Sequence, residues 1–160
     1  MMKYSELKAD LMGMFDEKKL QMLPQEWGFF NEFEREIKTI GYAVNLTEAL
    51  IEKACQKQIE FLVTHHDSWE FIFGLKESCN QILEKNGITH AYFHAPLDDA
   101  EFGTSASLAK ALGMRGLEKV MPYADIYYGG VTGEVEPVDF NVFSEMLTDI
   151  LKEQVRCYQN

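Results

Sequence analysis

A short apolar run, IEFLV at residues 59–63, restricts the fold of this chain more than any other stretch of its sequence. The run does not alternate apolar with polar residues, so it predicts a strand whose two faces are both covered. A strand over residues 37–44 and a helix from Thr47 are predicted before it; a helix over residues 75–85 and a strand over residues 88–93 are predicted after it. This order predicts an α/β fold, with a largely parallel sheet flanked by helices.

The two ends of the chain carry further predicted elements. Residues 3–20 have the apolar spacing of an amphipathic helix, and an irregular aromatic loop follows them. A last helix is predicted over residues 141–154, with its apolar side chains buried, and VRCY at residues 155–158 predicts a final strand. The segment GGVTGE predicts a turn that leads into a short strand, not a phosphate-binding loop, because no GKS or GKT follows it. The length of 160 residues predicts a single domain over residues 1–160.

The charge of the chain excludes several classes of partner. Its formal net charge is -11, which argues against nucleic acid and against an anionic membrane surface, because both attract basic proteins. No apolar run approaches the roughly 20 residues of a membrane span. The N-terminus is charged and does not have the pattern of a secretory signal, so none is expected. Three widely spaced cysteines without a CxxC motif indicate reduced thiols, so we expect a cytoplasmic protein.

Histidines follow two of the predicted strands at the point where each strand ends. His65 and His66 come just after IEFLV, while His94 and Asp98 follow the strand ITHAYF. Because the carboxyl ends of parallel strands meet at one edge of a sheet, these side chains are expected to converge. Imidazole and carboxylate groups are ligands for Zn, Fe, Mn, Co or Ni. The sequence therefore predicts a divalent-metal site at this edge.

The histidines leave some alternatives open. Adjacent side chains on an extended segment point to opposite sides, so His65 and His66 are expected to serve two ions unless the chain turns between them. His90, inside its strand, is expected to support the site without ligating. Asp99 and Glu101 either add ligands or solvate a loop, and solvation is expected. A purely structural interpretation also stands, in which the histidines form a core hydrogen-bond network and mutation of His65 lowers stability without changing metal content.

Three segments resemble, in order, motifs of one protein family. FLVTHHDSWEFIFGLKE resembles the THHP and LK segment of the Nif-three-like family. HAYFHAPLDDAEFGTSASLAKALGM resembles the family's HTNLD segment, and YYGGVTGEVEPVDFNVFSEMLTDIL resembles its GEL and EP segment. The resemblance extends from about Thr39 to the C-terminus. Proteins of this family have a dinuclear metal centre and are described as type 2 homologues of GTP cyclohydrolase I.

The resemblance has implications for the site and the assembly. It implies a fold of α/β halves and a toroidal hexamer with metal sites inside, so a homo-oligomer is expected. It implies that His65, His66 and Asp98 are metal ligands for up to two ions, and it places His94 beside them. If the chain is catalytic, metal-assisted hydrolysis of a small nucleotide-like substrate is expected, with His94 moving a proton.

Two features depart from the family's pattern. Asp67 stands where the family has proline, so it either changes the turn or adds a carboxylate to the site. Family members are usually longer, and their C-terminal part supplies an H-x-x-x-E motif, whereas this sequence has no histidine after His94. The chain is therefore expected to lack the family's C-terminal part. The alternative to an enzyme is a non-enzymatic assembly or regulatory protein with a structural or vestigial metal site.

Overall fold

The computed structural model describes residues 2–158, apart from the side chain of Phe73. These residues form two compact units, which divide between Leu97 and Asp98. Among the described helices, none has both the length and the apolar character that crossing a membrane requires.

The described part of the first unit contains six strands, five helices and one short 3-10 turn before the boundary at Leu97. In chain order these elements are β1 (Met2–Lys3), α1 (Tyr4–Gly13), α2 (Glu17–Met22), the 3-10 turn (Pro24–Glu26), β2 (Trp27–Phe30), β3 (Glu36–Ile37), β4 (Ile40–Asn45), α3 (Glu48–Gln56), β5 (Phe61–His66), α4 (Glu70–Phe73), α5 (Lys76–Lys85) and β6 (Thr89–Phe93). A short helix, α6 (Ala95–Asp99), then runs across the boundary in sequence.

A four-stranded sheet organises the first unit, with strand order β2-β6-β5-β4. Strand β5 pairs in parallel with β4 on one side and with β6 on the other. Strand β2 pairs with β6 in the antiparallel direction and places Trp27 opposite Phe93. Two of the three pairings are thus parallel, which confirms the predicted α/β fold with a largely parallel sheet.

Both faces of the sheet are covered, which explains the three consecutive apolar residues Phe61, Leu62 and Val63 of β5. Leu62 packs on one face against residues from α3 and α5, including Ile51 and Leu83. Its neighbour Phe61 points to the opposite face and packs against Tyr4 of α1 and Ala91 of β6. Consecutive residues of a strand point to opposite faces, so a strand buried on both sides has no polar face to display.

Two predictions for the N-terminal segment are wrong. The single helix expected over residues 3–20 is broken into α1 and α2, because Asp16 caps α2 by accepting a hydrogen bond from the backbone N–H of Lys19. The expected aromatic loop contains strand β2, whose four residues pair with β6. This strand has no alternating pattern, and its paired residues lie 60 to 66 positions further along the chain, so local sequence does not reveal it.

The second unit is built around a long hairpin. Its elements are α7 (Thr104–Ala111), β7 (Arg115–Tyr123), β8 (Tyr127–Glu134) and α8 (Phe140–Leu151). Strands β7 and β8 pair in the antiparallel direction. GGVTGE lies within β8, so the prediction of a turn there is wrong. At Gly133 a Cβ atom would lie 2.8 Å from the Arg115 carbonyl oxygen, so glycine permits the close approach of the two strands.

The predicted C-terminal elements also differ from the structure. Residues 155–158 have no regular secondary structure, so the expected final strand is wrong. Helix α8 forms as predicted, but no residue of this helix is buried among the described residues. An amphipathic pattern shows that one face of a helix is apolar, and it does not specify what covers that face.

Candidate metal site

Three of the four histidines gather at the carboxyl edge of the sheet. His65 and His66 are the last two residues of β5, and His94 directly follows β6. One ring nitrogen from each of the three lies within 4.8 Å of the other two. The ring centroid of His94 lies 5.2 Å from those of both His65 and His66. The parallel pairing of β5 with β6 places these strand ends side by side, as the sequence predicts.

The two adjacent histidines point into one cluster. Their ring centroids are 4.3 Å apart, so the expectation that His65 and His66 diverge towards opposite sides is wrong. His66 is the final residue of the strand, and both side chains bend over its carboxyl end. His65 is buried and His66 is half-buried, so His65 lies on the protein side of the cluster and His66 lies nearer to solvent.

Oxygen atoms of the protein fix the Nδ1 side of these two rings. Nδ1 of His65 lies 3.1 Å from the carbonyl oxygen of Phe93, and Nδ1 of His66 lies 2.6 Å from Oδ1 of Asn45. Asn45 is opposite His66 in the parallel pairing of β4 with β5. A neutral imidazole that donates from Nδ1 presents its lone pair at Nε2, which is the arrangement of a metal-ligating histidine.

Glu26 fixes the third ring. Its Oε2 lies 2.6 Å from Nδ1 of His94, and the backbone N–H of His94 donates to the Glu26 carbonyl at 2.8 Å. The Glu26 carboxylate is buried, and antiparallel pairing of β2 with β6 positions it. Sequence reasoning missed Glu26 because its segment is predicted as a loop. No alternation of apolar and polar residues marks the segment EWGFF, so the local sequence gives no signal for this residue.

His90 lies below the cluster and supports it, as predicted. It is 1% exposed, and its Nε2 lies 2.8 Å from Oγ1 of Thr64, which in turn donates to the carbonyl oxygen of His66. Burial lowers the pKa of His90 to about 4, although the negative charge of Asp67 opposes this shift. The ring is therefore neutral at pH 7. Because the Thr64 hydroxyl already donates its proton to the carbonyl of His66, Nε2 of His90 donates to Thr64.

Asp67 forms an ion pair with Lys76. Its Oδ2 lies 2.7 Å from the ammonium of Lys76 at the start of α5, and its Oδ1 accepts the backbone N–H of Ser68 at 2.8 Å. The carboxylate is buried, so this pair fixes the path of the chain just after the two histidines. Of the two possibilities that the sequence leaves open, the structure thus favours a role in the turn.

The predicted carboxylate ligand Asp98 belongs to the second unit. There its Oδ1 accepts a hydrogen bond from Oγ1 of Thr104 at 2.6 Å, and its role as a ligand stays a prediction. Its neighbour Asp99 pairs with Lys119 of β7 at 2.6 Å, so the expectation that Asp99 only solvates a loop is wrong. Glu101 is exposed, as expected.

The fold and the site together define an α/β protein with a three-histidine cluster at the carboxyl edge of a mostly parallel sheet. A family model described as Duf34/NIF3 (NGG1p interacting factor 3) matches residues 9–160. The chain therefore belongs to the Duf34/NIF3 family, and the resemblance found in the sequence is confirmed. A comparison with curated proteins gave no match.

Solved structures share this fold. TTHA1606 from Thermus thermophilus superimposes with a TM-score of 0.74 at 26% identity, over 96% of this chain and 63% of that one. Reduced HcgD from Methanocaldococcus jannaschii gives a TM-score of 0.72 at 22% identity, over 92% of this chain and 60% of that one. A Bacillus cereus protein related to NIF3 gives 0.63 at 20% identity, over 76% and 35%. The chain thus spans about three fifths of the length of the first two structures.

Proposed function

We propose that this chain is a divalent-metal-binding protein whose ion is held by His65, His66 and His94, and that it is a metal-dependent hydrolase of a nucleotide-like substrate. The observation that supports metal binding most directly is the cluster itself, in which three ring nitrogens lie within 4.8 Å of one another. Three neutral imidazoles suit Zn, Fe, Co, Ni or Mn, and catalytic zinc sites commonly have three protein ligands.

The surroundings of the rings also fit a metal ion. Each Nδ1 lies within hydrogen-bond distance of a protein oxygen, supplied by Phe93, Asn45 or Glu26. Such partners fix the tautomer and orientation of ligating histidines, and a carboxylate partner makes the imidazole a stronger base. A core network of histidines would need no such common orientation of all three rings.

The hydrolase part of the proposal follows from the chemistry that the site offers. A divalent ion at such a site lowers the pKa of water to about 7 and polarises oxygen atoms of a substrate. His65, His66 and His94 would hold the ion, and Glu26 would fix the orientation of the His94 ring. The family resemblance supports a nucleotide-like substrate.

Metal analysis tests the binding part. Protein purified without chelator or added metal is expected to contain at least one ion per chain, and the content is expected to fall strongly in His65→Ala, His66→Ala and His94→Ala. Glu36→Gln is the control, because it alters an exposed side chain of β3. Unchanged content in the three variants, with lower stability, would favour the core-network interpretation.

Activity assays test the hydrolase part. Hydrolysis of a nucleotide is expected to require a bound divalent metal ion and to disappear in His66→Ala. If His94→Ala keeps its metal but loses hydrolysis, His94 moves a proton, as the sequence predicts, and is not a ligand. A protein that binds metal tightly and hydrolyses no nucleotide would support the assembly or regulatory alternative.

A further inference from the structure

An aromatic surface adjoins the histidine cluster. We call it the aromatic platform and define it as Trp69 and Phe71. The ring centroid of Trp69 lies 5.0 Å from that of His94 and 5.9 Å from that of His66. Phe71 stacks on Trp69 at 6.0 Å, with 29° between the ring planes. The platform therefore starts at the cluster and extends away from it.

Exposure distinguishes Phe71 of the aromatic platform from the core, while Trp69 is half-buried. The side chain of Phe71 is 82% exposed, and that of its neighbour Ile72 is 56% exposed. Neither of the two core clusters of this unit includes Trp69 or Phe71. A phenyl ring that is so exposed adds little to the stability of the fold, because burial is what makes an apolar side chain stabilising.

The indole of Trp69 is held from one edge. The ring of Tyr92 meets it at 87°, with the centroids 5.9 Å apart. The hydroxyl of Tyr92 also donates to the carbonyl oxygen of Gln25 at 3.2 Å. A ring anchored in this way loses little conformational entropy when it binds a ligand.

We propose that the aromatic platform binds a flat, uncharged heteroaromatic ring, such as the base of a nucleoside, by stacking, and so places the rest of that ligand at the three-histidine cluster. The inference rests on the proposed function, because the ring belongs to the substrate on which the metal site acts. Aromatic side chains bind bases in this way because every base has a π face. The net charge of -11 disfavours a polyphosphate as the main recognition element.

Ligand titration of the full chain tests the proposal. Protein stripped of metal and then reloaded with Zn²⁺ is titrated with guanosine and adenosine, with ribose as the control, by calorimetry and by tryptophan fluorescence. Saturable nucleoside binding is expected, with little response to ribose. Trp69→Leu is expected to weaken it about tenfold or more, and Trp69→Phe much less. Phe71→Ala, at an exposed position, is expected to weaken it severalfold without changing the circular dichroism spectrum.

A separate zinc titration distinguishes the two proposals. If zinc binds but no nucleoside saturates at millimolar concentration, the platform proposal is overturned and the proposed metal site stands. If nucleoside binding depends on Trp69 while zinc does not bind, the platform stands and the proposed function fails. Loss of zinc and nucleoside together in Trp69→Leu would show that Trp69 only packs against the histidines. Self-association lost in Phe71→Ala, without nucleoside binding in the wild type, would make the platform an interface between copies.

Discussion

Glu26 contacts His94 through both its backbone and its side chain. Its carbonyl oxygen accepts the backbone N–H of His94 at 2.8 Å, and its Oε2 lies 2.6 Å from Nδ1. The two residues are 68 positions apart in the sequence, and the antiparallel pairing of β2 with β6 brings them together. A buried carboxylate behind an imidazole fixes the ring and favours ligation through its other nitrogen.

Replacing Glu26 is expected to weaken metal binding. Glu26→Gln keeps the size of the side chain but removes its charge, so affinity for Zn²⁺ is expected to fall roughly 10–100-fold, the range seen for partners of ligating histidines. Competition with a chelating dye measures this affinity. Glu36→Gln changes an exposed glutamate in β3 and is the matched control. Equal affinities in the two variants would show that Glu26 does not orient the ligand.

The burial of His90 predicts a pH dependence of stability. Its pKa is lowered from 6.5 to about 4 in the folded chain, so between these values the unfolded chain binds a proton that the folded chain does not. Stability is therefore expected to fall as the pH drops from about 6.5 towards about 4, with a loss of several degrees in Tm. Thermal melts across this range should show a shallower dependence for His90→Asn, and equal slopes would contradict the prediction.

Removing the lysine partner of Asp67 is expected to lower stability. Lys76→Met leaves a carboxylate that is 4% exposed without its ion pair, at a cost of about 1–3 kcal/mol. This loss of stability is smaller than for a fully buried ion pair, because the Lys76 side chain is 46% exposed and water screens the pair. Urea denaturation measures the difference, with Lys85→Met, at the exposed end of α5, as the control. Adding Asp67→Asn should recover part of the loss.

A single methyl group is expected to disturb the hairpin of the second unit. In Gly133→Ala the new Cβ would lie 2.8 Å from both the Arg115 carbonyl oxygen and Cδ2 of Leu117, so the strands must separate. A destabilisation of about 1–3 kcal/mol is expected. At Gly129 the nearest atom would be 3.8 Å away, which makes Gly129→Ala the control in the same strand. Similar melting temperatures for the two variants would count against this close approach.

The sequence was informative wherever one local pattern determined the outcome. The consecutive apolar residues Phe61, Leu62 and Val63 of β5 indicate a strand buried on both faces. The ends of β5 and β6 indicate where His65, His66 and His94 converge. Strand β7 was missed because most of its side chains are exposed, so no apolar alternation marks it. Hairpins of this kind depend on pairing with a neighbour and not on a pattern within the strand.

The residues that contact the Nδ1 atoms of His66 and His94 could not be predicted from local sequence, for a different reason. Asn45 follows a predicted strand, and Glu26 is predicted to lie in a loop. Both reach their histidines only through strand pairing, across 21 positions for Asn45 and His66 and across 68 for Glu26 and His94. Which side chains meet across a sheet depends on strand order and register, and a single sequence does not specify these.

The oxygen atoms that contact the three Nδ1 atoms come from distant parts of the sequence, and this has a consequence for folding. Oxygen atoms from β4, from the end of β6 and from the turn before β2 each orient one ring. The set is complete only when all four strands are aligned, and contacts between distant segments are slow to form. We therefore expect the oriented cluster to assemble late on the folding pathway. An ion that prefers this arrangement adds its binding free energy to the native state alone and so slows unfolding of the whole sheet.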